Sequence, residues 1–141
     1  MTTTPARLDL GSLYSRVQQF YAAQMQRLDA RDIESYADTF TEDAAFAHTP
    51  GRPAARTRPG IVADLTDFHR KFEGDPMQRR HMVNMINLEP LADGGLRSTA
   101  YCLVVKIRPG QDPAFVSCVM HDVLTEVAGE LLTRERQVTY D

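Results

Sequence analysis

The sequence predicts an α+β fold in which three N-terminal helices pack on one face of a strongly curved, mostly antiparallel sheet and leave a cavity. Apolar residues recur at helical spacing through the first half of the chain, whereas from Gln78 onward the period is that of strands. Turn-forming segments of hairpin length, such as Asp93-Gly94-Gly95, separate the later strands. Helices followed by sequential strands are typical of a meander that packs against a helical layer.

Apolar stripes predict three helices, over about residues 12–29, 33–41 and 59–73. Ser12 is a candidate N-cap, and residues 1–10 are expected to form a loose arm because they have little to bury. Asp29 lies in the corner before the second helix, where a carboxylate can accept hydrogen bonds from free N–H groups. Pro59 suits the first turn of the third helix, and Gly74-Asp75-Pro76 would stop that helix.

Five strands are predicted, a short one over 44–48 and long ones over 80–91, 96–108, 114–128 and 131–140. An odd loop length between the third and fourth strands would place Tyr101 and His121 on the same face of the sheet. The opposite face carries a row of apolar side chains and thiols at Cys102, Val104, Val116, Cys118, Met120 and Leu124. Because so long an apolar patch should not meet water, we predict a two-fold homodimer that buries this face sheet to sheet.

Length and charge exclude several classes of protein. At 141 residues the chain, 1–141, is expected to be one domain that buries roughly two-thirds of its unfolded surface. A net charge of −3, without a basic stripe, argues against a nucleic-acid partner. The N-terminus lacks the pattern of a signal peptide, and no apolar run approaches the ~20 residues of a membrane helix. We therefore predict a cytoplasmic protein with no membrane partner.

The sequence also lacks the motifs that bind common cofactors. No glycine-rich phosphate loop or dinucleotide fingerprint follows a predicted strand, and no His-Glu-x-x-His or Cys-x-x-Cys spacing is present. An iron site can be drawn from His81, His121 and Asp29, but the histidines are scattered and this interpretation is the weaker one. We expect neither a metal nor an organic cofactor.

Asp29 and His81 are the candidate catalytic pair. His81 opens a largely apolar predicted strand, about fifty residues after the corner that holds Asp29. A carboxylate bonded to one imidazole nitrogen fixes the tautomer, so that the other nitrogen can take a proton from a carbon made acidic by a carbonyl. The alternative is a helix cap and an unrelated surface histidine.

The order of elements, with the pattern Asp29-Ala30-Arg31-Asp32…Tyr36-Ala37…Phe40…Glu42-Asp43-Ala44-Ala45-Phe46, resembles the nuclear-transport-factor-2-like superfamily. Within it, the chain is most similar to the SnoaL-like group of polyketide cyclases and small lyases, over about residues 12–140. The resemblance implies a cone-shaped α+β fold around a cavity. The scytalone dehydratase and lindane dehydrochlorinase branches place a catalytic aspartate in this helix corner and a catalytic histidine at the head of a strand. Asp29 and His81 fall at those two positions.

Seven further residues are predicted to bind substrate in this cavity, namely Tyr21, Met25, Phe46, His48, Met85, Tyr101 and His121. The resemblance makes Tyr21 or Tyr101, together with His121, candidates for the additional tyrosine and histidine of scytalone dehydratase. Met25, Met82 and Met85 are most simply core residues, although a cavity for a flat aromatic ligand would also be lined this way. His69 is expected to be a partly exposed helix residue.

The predicted function is that of a cofactor-free lyase or cyclase, which dehydrates an aromatic polyketide-like intermediate or closes its ring in secondary metabolism such as antibiotic biosynthesis. A small hydrophobic or aromatic molecule is the expected substrate. The alternative is a non-catalytic subunit that shelters an intermediate or supports a partner oxygenase, because the small subunit of ring-hydroxylating dioxygenases has the same fold. A cavity with Asp29 and His81 in contact would favour the enzyme.

Overall fold

A computed structural model describes residues 9–141 as three helices and six strands. The helices are α1 (Leu10–Asp29), α2 (Ile33–Ala37) and α3 (Thr57–Arg70). The strands are β1 (Phe40–Ala47), β2 (Ala55–Arg56), β3 (Gln78–Pro90), β4 (Leu96–Ile107), β5 (Ala114–Val127) and β6 (Glu130–Tyr140). The four long strands lie where the sequence predicts them, and β2 is additional.

The strands form one sheet in the order β2-β1-β6-β5-β4-β3. All neighbouring pairs are antiparallel except β1 and β6, which are parallel. Register shifts bend the sheet in β3, between Asn84 and Asn87, and in β6, between Thr133 and Glu135 opposite Leu124 and Val123. With α1 against β3 and α3 against β1, the sheet curves around the helices without closing. The predicted α+β class is therefore confirmed.

The starts of the first two helices differ from the prediction. Asp9 caps α1 by accepting from the N–H groups of Gly11 and Ser12, so Ser12 is not the cap. Residues 9 and 10 thus belong to this helix start, whereas the rest of the predicted arm lies outside the described residues. Asp32 rather than Asp29 caps α2, since its side chain accepts from the N–H of Ser35. Both errors arose because several acidic and hydroxyl residues near each helix start satisfy the same local pattern.

The second helix is also shorter than predicted. It ends at Ala37, and β1 begins at Phe40 instead of residue 44. The N–H of Thr133 donates to the carbonyl of Thr39 at 2.9 Å, so β6 captures the segment just before β1. Pairing with β6 places this segment in the sheet and overrides the weak helical stripe of its sequence. Pro59 does lie in the first turn of α3, which begins at Thr57.

The two faces of the meander are assigned the wrong way round in the prediction. The face with Cys102, Val104, Cys118, Met120 and Leu124 is buried in the core beneath the helices, so it is not a dimer interface. Tyr101 and His121 do share a face, as predicted, but that face points outward. Both faces are apolar, so the alternation of residues alone did not show which one the helices cover.

A buried polar network joins the helices to the sheet inside the core. The Arg136 guanidinium makes two hydrogen bonds of 2.8–2.9 Å to the Asp122 carboxylate, and both side chains are almost completely buried. Arg136 also donates to Tyr36 Oη at 2.8 Å and to Gln24 Oε1 at 2.7 Å. The Tyr21 hydroxyl lies 2.7 Å from Asp122 Oδ2 and 2.8 Å from Ser98 Oγ. Directional bonds therefore fix α1 and α2 against β5 and β6.

None of the helices within residues 9–141 is both long and apolar enough to cross a membrane.

Candidate functional site

A pocket of about 160 Å³ lies between the helices and the inner face of the sheet. Its walls are mostly apolar and aromatic, with Met25, Leu28, Phe46, Leu65, Val104 and Met120 among the lining residues. A cavity of roughly 150 Å³ with such walls can hold a benzene ring. The pocket therefore has room for one ring of a ligand, and its lining includes the exposed residues Arg31 and Tyr140.

Asp29 and His81 meet at the wall of this pocket. Asp29 Oδ1 lies 2.6 Å from His81 Nδ1, and the backbone N–H of His81 donates to Asp29 Oδ2 at 3.1 Å. Both carboxylate oxygens are thus engaged by a single residue. With Nδ1–H donated to Asp29, His81 Nε2 carries a lone pair, and no side chain within residues 9–141 bonds to it. The pair leaves one basic nitrogen available to a ligand.

The chain holds the two partners by short local structures. Asp29 is the last residue of α1, and Arg31 turns the chain with a positive φ of 60° into α2. His81 lies near the start of β3, opposite Val104 of β4, so its side chain points to the inner face. Gln78 Nε2 donates to the backbone carbonyl of Asp29 at 3.1 Å and ties the end of α1 to β3. The separation of the pair therefore depends on how α1 docks on β3.

Two more histidines, His48 and His69, line the same pocket and differ in how many of their ring nitrogens are hydrogen-bonded. His48 Nε2 lies 2.6 Å from Asp64 Oδ2, and His48 Nδ1 lies 3.1 Å from Thr49 Oγ1, so both ring nitrogens are occupied. His69 Nδ1 donates to the carbonyl of Leu65 at 2.8 Å, which leaves its Nε2 as an acceptor. Burial lowers the pKa of His69, so its imidazole is neutral at neutral pH.

The floor of the pocket is formed in part by Tyr36 and Arg136. Tyr36 Oη accepts from Arg136, and within residues 9–141 its own proton has no acceptor. Burial raises the pKa of Tyr36, so the phenol stays protonated and can donate. The site thus offers a polarised hydrogen-bond donor, an acceptor at His69 and a proton acceptor at His81.

The structure brings some of the predicted substrate-binding residues together and not others. Met25, Phe46 and His48 line the pocket with Asp29 and His81. Tyr21 does not: its ring is in the core, its hydroxyl belongs to the polar network, and it borders a separate groove between α1 and β3. That groove also reaches Asp29 and His81.

Three predicted substrate-binding residues lie outside the pocket. Tyr101 is 57% exposed and Met85 is 69% exposed. Met85 occupies the β3 bulge with a φ of 52°, and the displaced register turns its side chain outward. His121 lies on the outer face and bonds to Thr139 Oγ1 at 3.0 Å. The placement of His121 also removes the iron site drawn with His81, and the described residues hold no cluster of three metal-binding side chains.

Several pocket residues were not predicted from the sequence. His69 reaches the pocket because α3 packs on β1, which the helical pattern around Phe68 could not show. Arg31, Arg79 and Lys106 also line the pocket. The one available signal was strand parity, because Arg79 lies two residues before His81 and so shares its face.

A family model described as a SnoaL-like domain matches residues 12–137. No protein in the search of curated proteins matches this sequence.

Several solved structures are similar to this chain in fold, and some of them also in sequence. ActVI-ORFA from Streptomyces coelicolor is 49% identical, over 92% of this chain and 98% of that chain, with a TM-score of 0.87. A protein from Catenulispora acidiphila, in complex with S-DNPA, is 43% identical over 93% of this chain and 95% of that one, with a TM-score of 0.84. A putative scytalone dehydratase from Novosphingobium aromaticivorans is 14% identical over 92% and 85% of the two chains, with a TM-score of 0.76, and shows the shared fold alone.

Proposed function

Because this chain belongs to the SnoaL-like domain family, as its sequence pattern indicated, we propose that it is a cofactor-free lyase or cyclase. Its substrate would be an aromatic polyketide-like intermediate, and His81 and Asp29 would supply acid–base catalysis. The observation that carries this proposal is the 2.6 Å contact between His81 Nδ1 and Asp29, in an apolar pocket, with His81 Nε2 left without a partner among the described residues.

The proposed chemistry begins with proton transfer from carbon. His81 Nε2 removes a proton from a carbon next to a carbonyl, and the electron pair moves onto the carbonyl oxygen as an enolate. The resulting imidazolium is stabilised by the Asp29 carboxylate on Nδ1. The Tyr36 hydroxyl, polarised by Arg136, is placed to donate to the oxyanion. Tyr36 would therefore be the electrophilic partner of the base.

Two outcomes follow from the same enolate. If a hydroxyl group stands β to the carbonyl, the enolate expels it, and the imidazolium returns its proton so that water leaves. If a second carbonyl lies within reach, the enolate carbon attacks it and closes a ring, and the imidazolium protonates the new alkoxide. Both outcomes balance without an external oxidant or cofactor. The mainly apolar pocket would favour them by excluding competing water.

The comparisons support a small-molecule ligand. A relative that is 43% identical over nearly the whole chain is in complex with the small molecule S-DNPA. ActVI-ORFA, at 49% identity, is a further relative of similar length. We propose that this chain likewise binds a small molecule in its pocket, with one aromatic ring held between the apolar walls.

The test measures product formation and ligand affinity side by side for the wild type and His81→Gln. Glutamine keeps a hydrogen-bonding side chain of similar length but has no basic nitrogen. We expect turnover to fall by about 10²–10⁴ while binding of S-DNPA changes little. Full activity in His81→Gln would refute the mechanism. Ligand binding without product, even with the wild type, would favour the alternative of a non-catalytic binding or accessory subunit.

We also propose that the protein forms a homodimer, through the outer face of the sheet instead of the inner one. Met82, Tyr101, Leu103 and Phe115 lie on that face of β3, β4 and β5, and all are exposed. Exposed apolar side chains grouped on one face in this way are typical of an interface. The cytoplasmic location remains a prediction from the sequence.

A further inference from the structure

We propose that the pocket has an anion-binding subsite, formed by Arg79, Lys106 and Arg31, which binds a carboxylate or phosphate group attached to the ligand. This inference rests on the proposed ligand-binding function of the pocket and names a chemical feature of its ligand. All three side chains line the pocket that contains the Asp29–His81 pair.

The first argument is the strand register. Arg79 of β3 and Lys106 of β4 are directly opposite each other, on the inner face. Like charges in directly opposite positions destabilise an antiparallel pair. Arg31 adds a third positive charge to this cluster. Burial is the largest cause that lowers the pKa of Arg79, followed by the nearby Arg31 and Arg108. A protein with a net charge of −3 thus places these three cationic side chains in the lining of one pocket.

The second argument is that nearby carboxylates are already engaged. Asp75 forms two hydrogen bonds of 2.9–3.0 Å with the Arg108 guanidinium. Asp29 is held by His81. Within residues 9–141, neither Arg79 nor Lys106 forms an ion pair or a side-chain hydrogen bond, and Arg31 donates only to the carbonyl of Met77, at 3.2 Å. The donors of this cluster therefore remain available to a ligand.

The third argument is that Arg79 is held in place rather than free in solvent. Its guanidinium lies 4.4 Å from the centre of the Phe72 ring and 5.4 Å from that of Phe68. Stacking of this kind holds the planar group while its N–H donors stay free, which prepares it for bidentate binding of an oxyanion. A half-buried guanidinium without a counter-charge is costly, and an anionic ligand would remove that cost.

Together these features describe a ligand with two parts. An aromatic ring would occupy the apolar interior, while a negatively charged group would be held by Arg79 and Lys106. The anion has two chemical sources, a carboxylate on the ring-bearing molecule itself or the phosphate of a phosphopantetheine arm that carries it. The shared feature is an oxyanion, and the experiment separates the sources.

The test uses calorimetric titration with three probes: 1-naphthylacetate, its uncharged methyl ester and 4′-phosphopantetheine. We expect the wild type to bind at least one anionic probe, and to prefer naphthylacetate over the ester by about ten- to a hundredfold if the carboxylate is the natural anion. Raising the salt concentration should weaken anion binding and leave ester binding unchanged. Arg79→Gln and Lys106→Met should each remove most of the anion affinity.

Arg80→Gln is the matched control. Arg80 is the next residue on β3, points to the outer face and is exposed, so its loss should leave all three affinities unchanged. Binding of naphthylacetate alone, dependent on Arg79 and Lys106, identifies a carboxylate ligand. Binding of 4′-phosphopantetheine that depends on Arg79 and Lys106 identifies the phosphate of a carrier arm. Anion affinity that is absent in the wild type, or unchanged in both pocket variants, overturns the subsite.

These results are independent of turnover. A salt-sensitive preference for anions in a protein that forms no product would refute the proposed lyase activity and still support the anion-binding subsite. Product formation without any anion preference would do the reverse.

Discussion

Replacing Asp29 by asparagine exchanges one carboxylate oxygen for an NH₂ group and should remove the oriented base at His81. The carboxylate accepts two hydrogen bonds from one residue, the backbone N–H of His81 at 3.1 Å and its Nδ1–H at 2.6 Å. An asparagine has one acceptor oxygen and one NH₂ group. If the oxygen keeps the backbone N–H, the NH₂ group faces Nδ1 and must donate to it. The imidazole proton then moves to Nε2, where a ligand would need a lone pair.

The opposite orientation of the amide is disfavoured. It would place the NH₂ group against the backbone N–H of His81, and a donor left without an acceptor costs about 1–3 kcal/mol. We therefore expect the inactive tautomer to prevail. Losing the oriented base should lower kcat by about 10²–10⁴, which corresponds to roughly 2.7–5.5 kcal/mol of transition-state stabilisation. The free energy of unfolding should change by only about 1 kcal/mol, because the amide replaces both contacts.

The assay combines single-turnover kinetics with ¹⁵N NMR of the His81 ring, which reports the tautomer directly. Asp32→Asn is the matched control, since Asp32 caps α2 through the N–H of Ser35 and Asn caps about as well as Asp. It should alter neither rate nor stability. An Asp29→Asn protein with wild-type kcat, or with its proton still on Nδ1, would refute the reasoning.

Three further predictions concern stability and assembly. Arg136→Met should lower the free energy of unfolding by about 3–5 kcal/mol in urea titrations, because it leaves the buried Asp122 charge without its partner; a loss below 1 kcal/mol would contradict this. Burial lowers the pKa of His69 in the fold, so the unfolded chain binds its proton first as pH falls below about 6.5. Stability from this group is present above that pH and lost as pH falls through the folded pKa, so melting at pH 7.5 and 5.5 should differ less in His69→Gln. Phe115→Glu on the 62% exposed outer-face residue should convert a dimer to a monomer in light scattering, and a wild type that is already monomeric would exclude the dimer.

The contact between Asp29 and His81 could be predicted from the sequence only through the family resemblance. Helical and strand periods located α1 and the four long strands because those segments are long and strongly patterned. The cap of α2 was misassigned because Asp29 and Asp32 both satisfy the local rule, and only the docking of β3 shows that Asp29 faces His81.

The rest of the site could not be predicted from local patterns, since it depends on how elements cross. Tyr101 and Cys102 alternate across β4 between two apolar faces, and burial of one face depends on where the helices return. His69 is a partly buried helix residue whose direction is fixed by the packing of α3 on β1. Met85 turned outward because of a bulge, which no residue in Met82–Leu91 signalled in advance.

The buried Asp122–Arg136 pair explains how the fold can keep an open pocket beside a precisely placed pair. A cavity removes apolar contacts that would otherwise lock the helices onto the sheet. Hydrogen bonds from this pair to Tyr21 and Tyr36, and to Gln24 of α1, supply directional contacts in their place. Asp29 lies at the end of that same helix, so its distance from His81 depends on these bonds although none of them touches it. Weakening the network while keeping the fold, as Gln24→Leu should do, is therefore expected to lower activity by loosening the Asp29–His81 contact, with little change in the pocket walls.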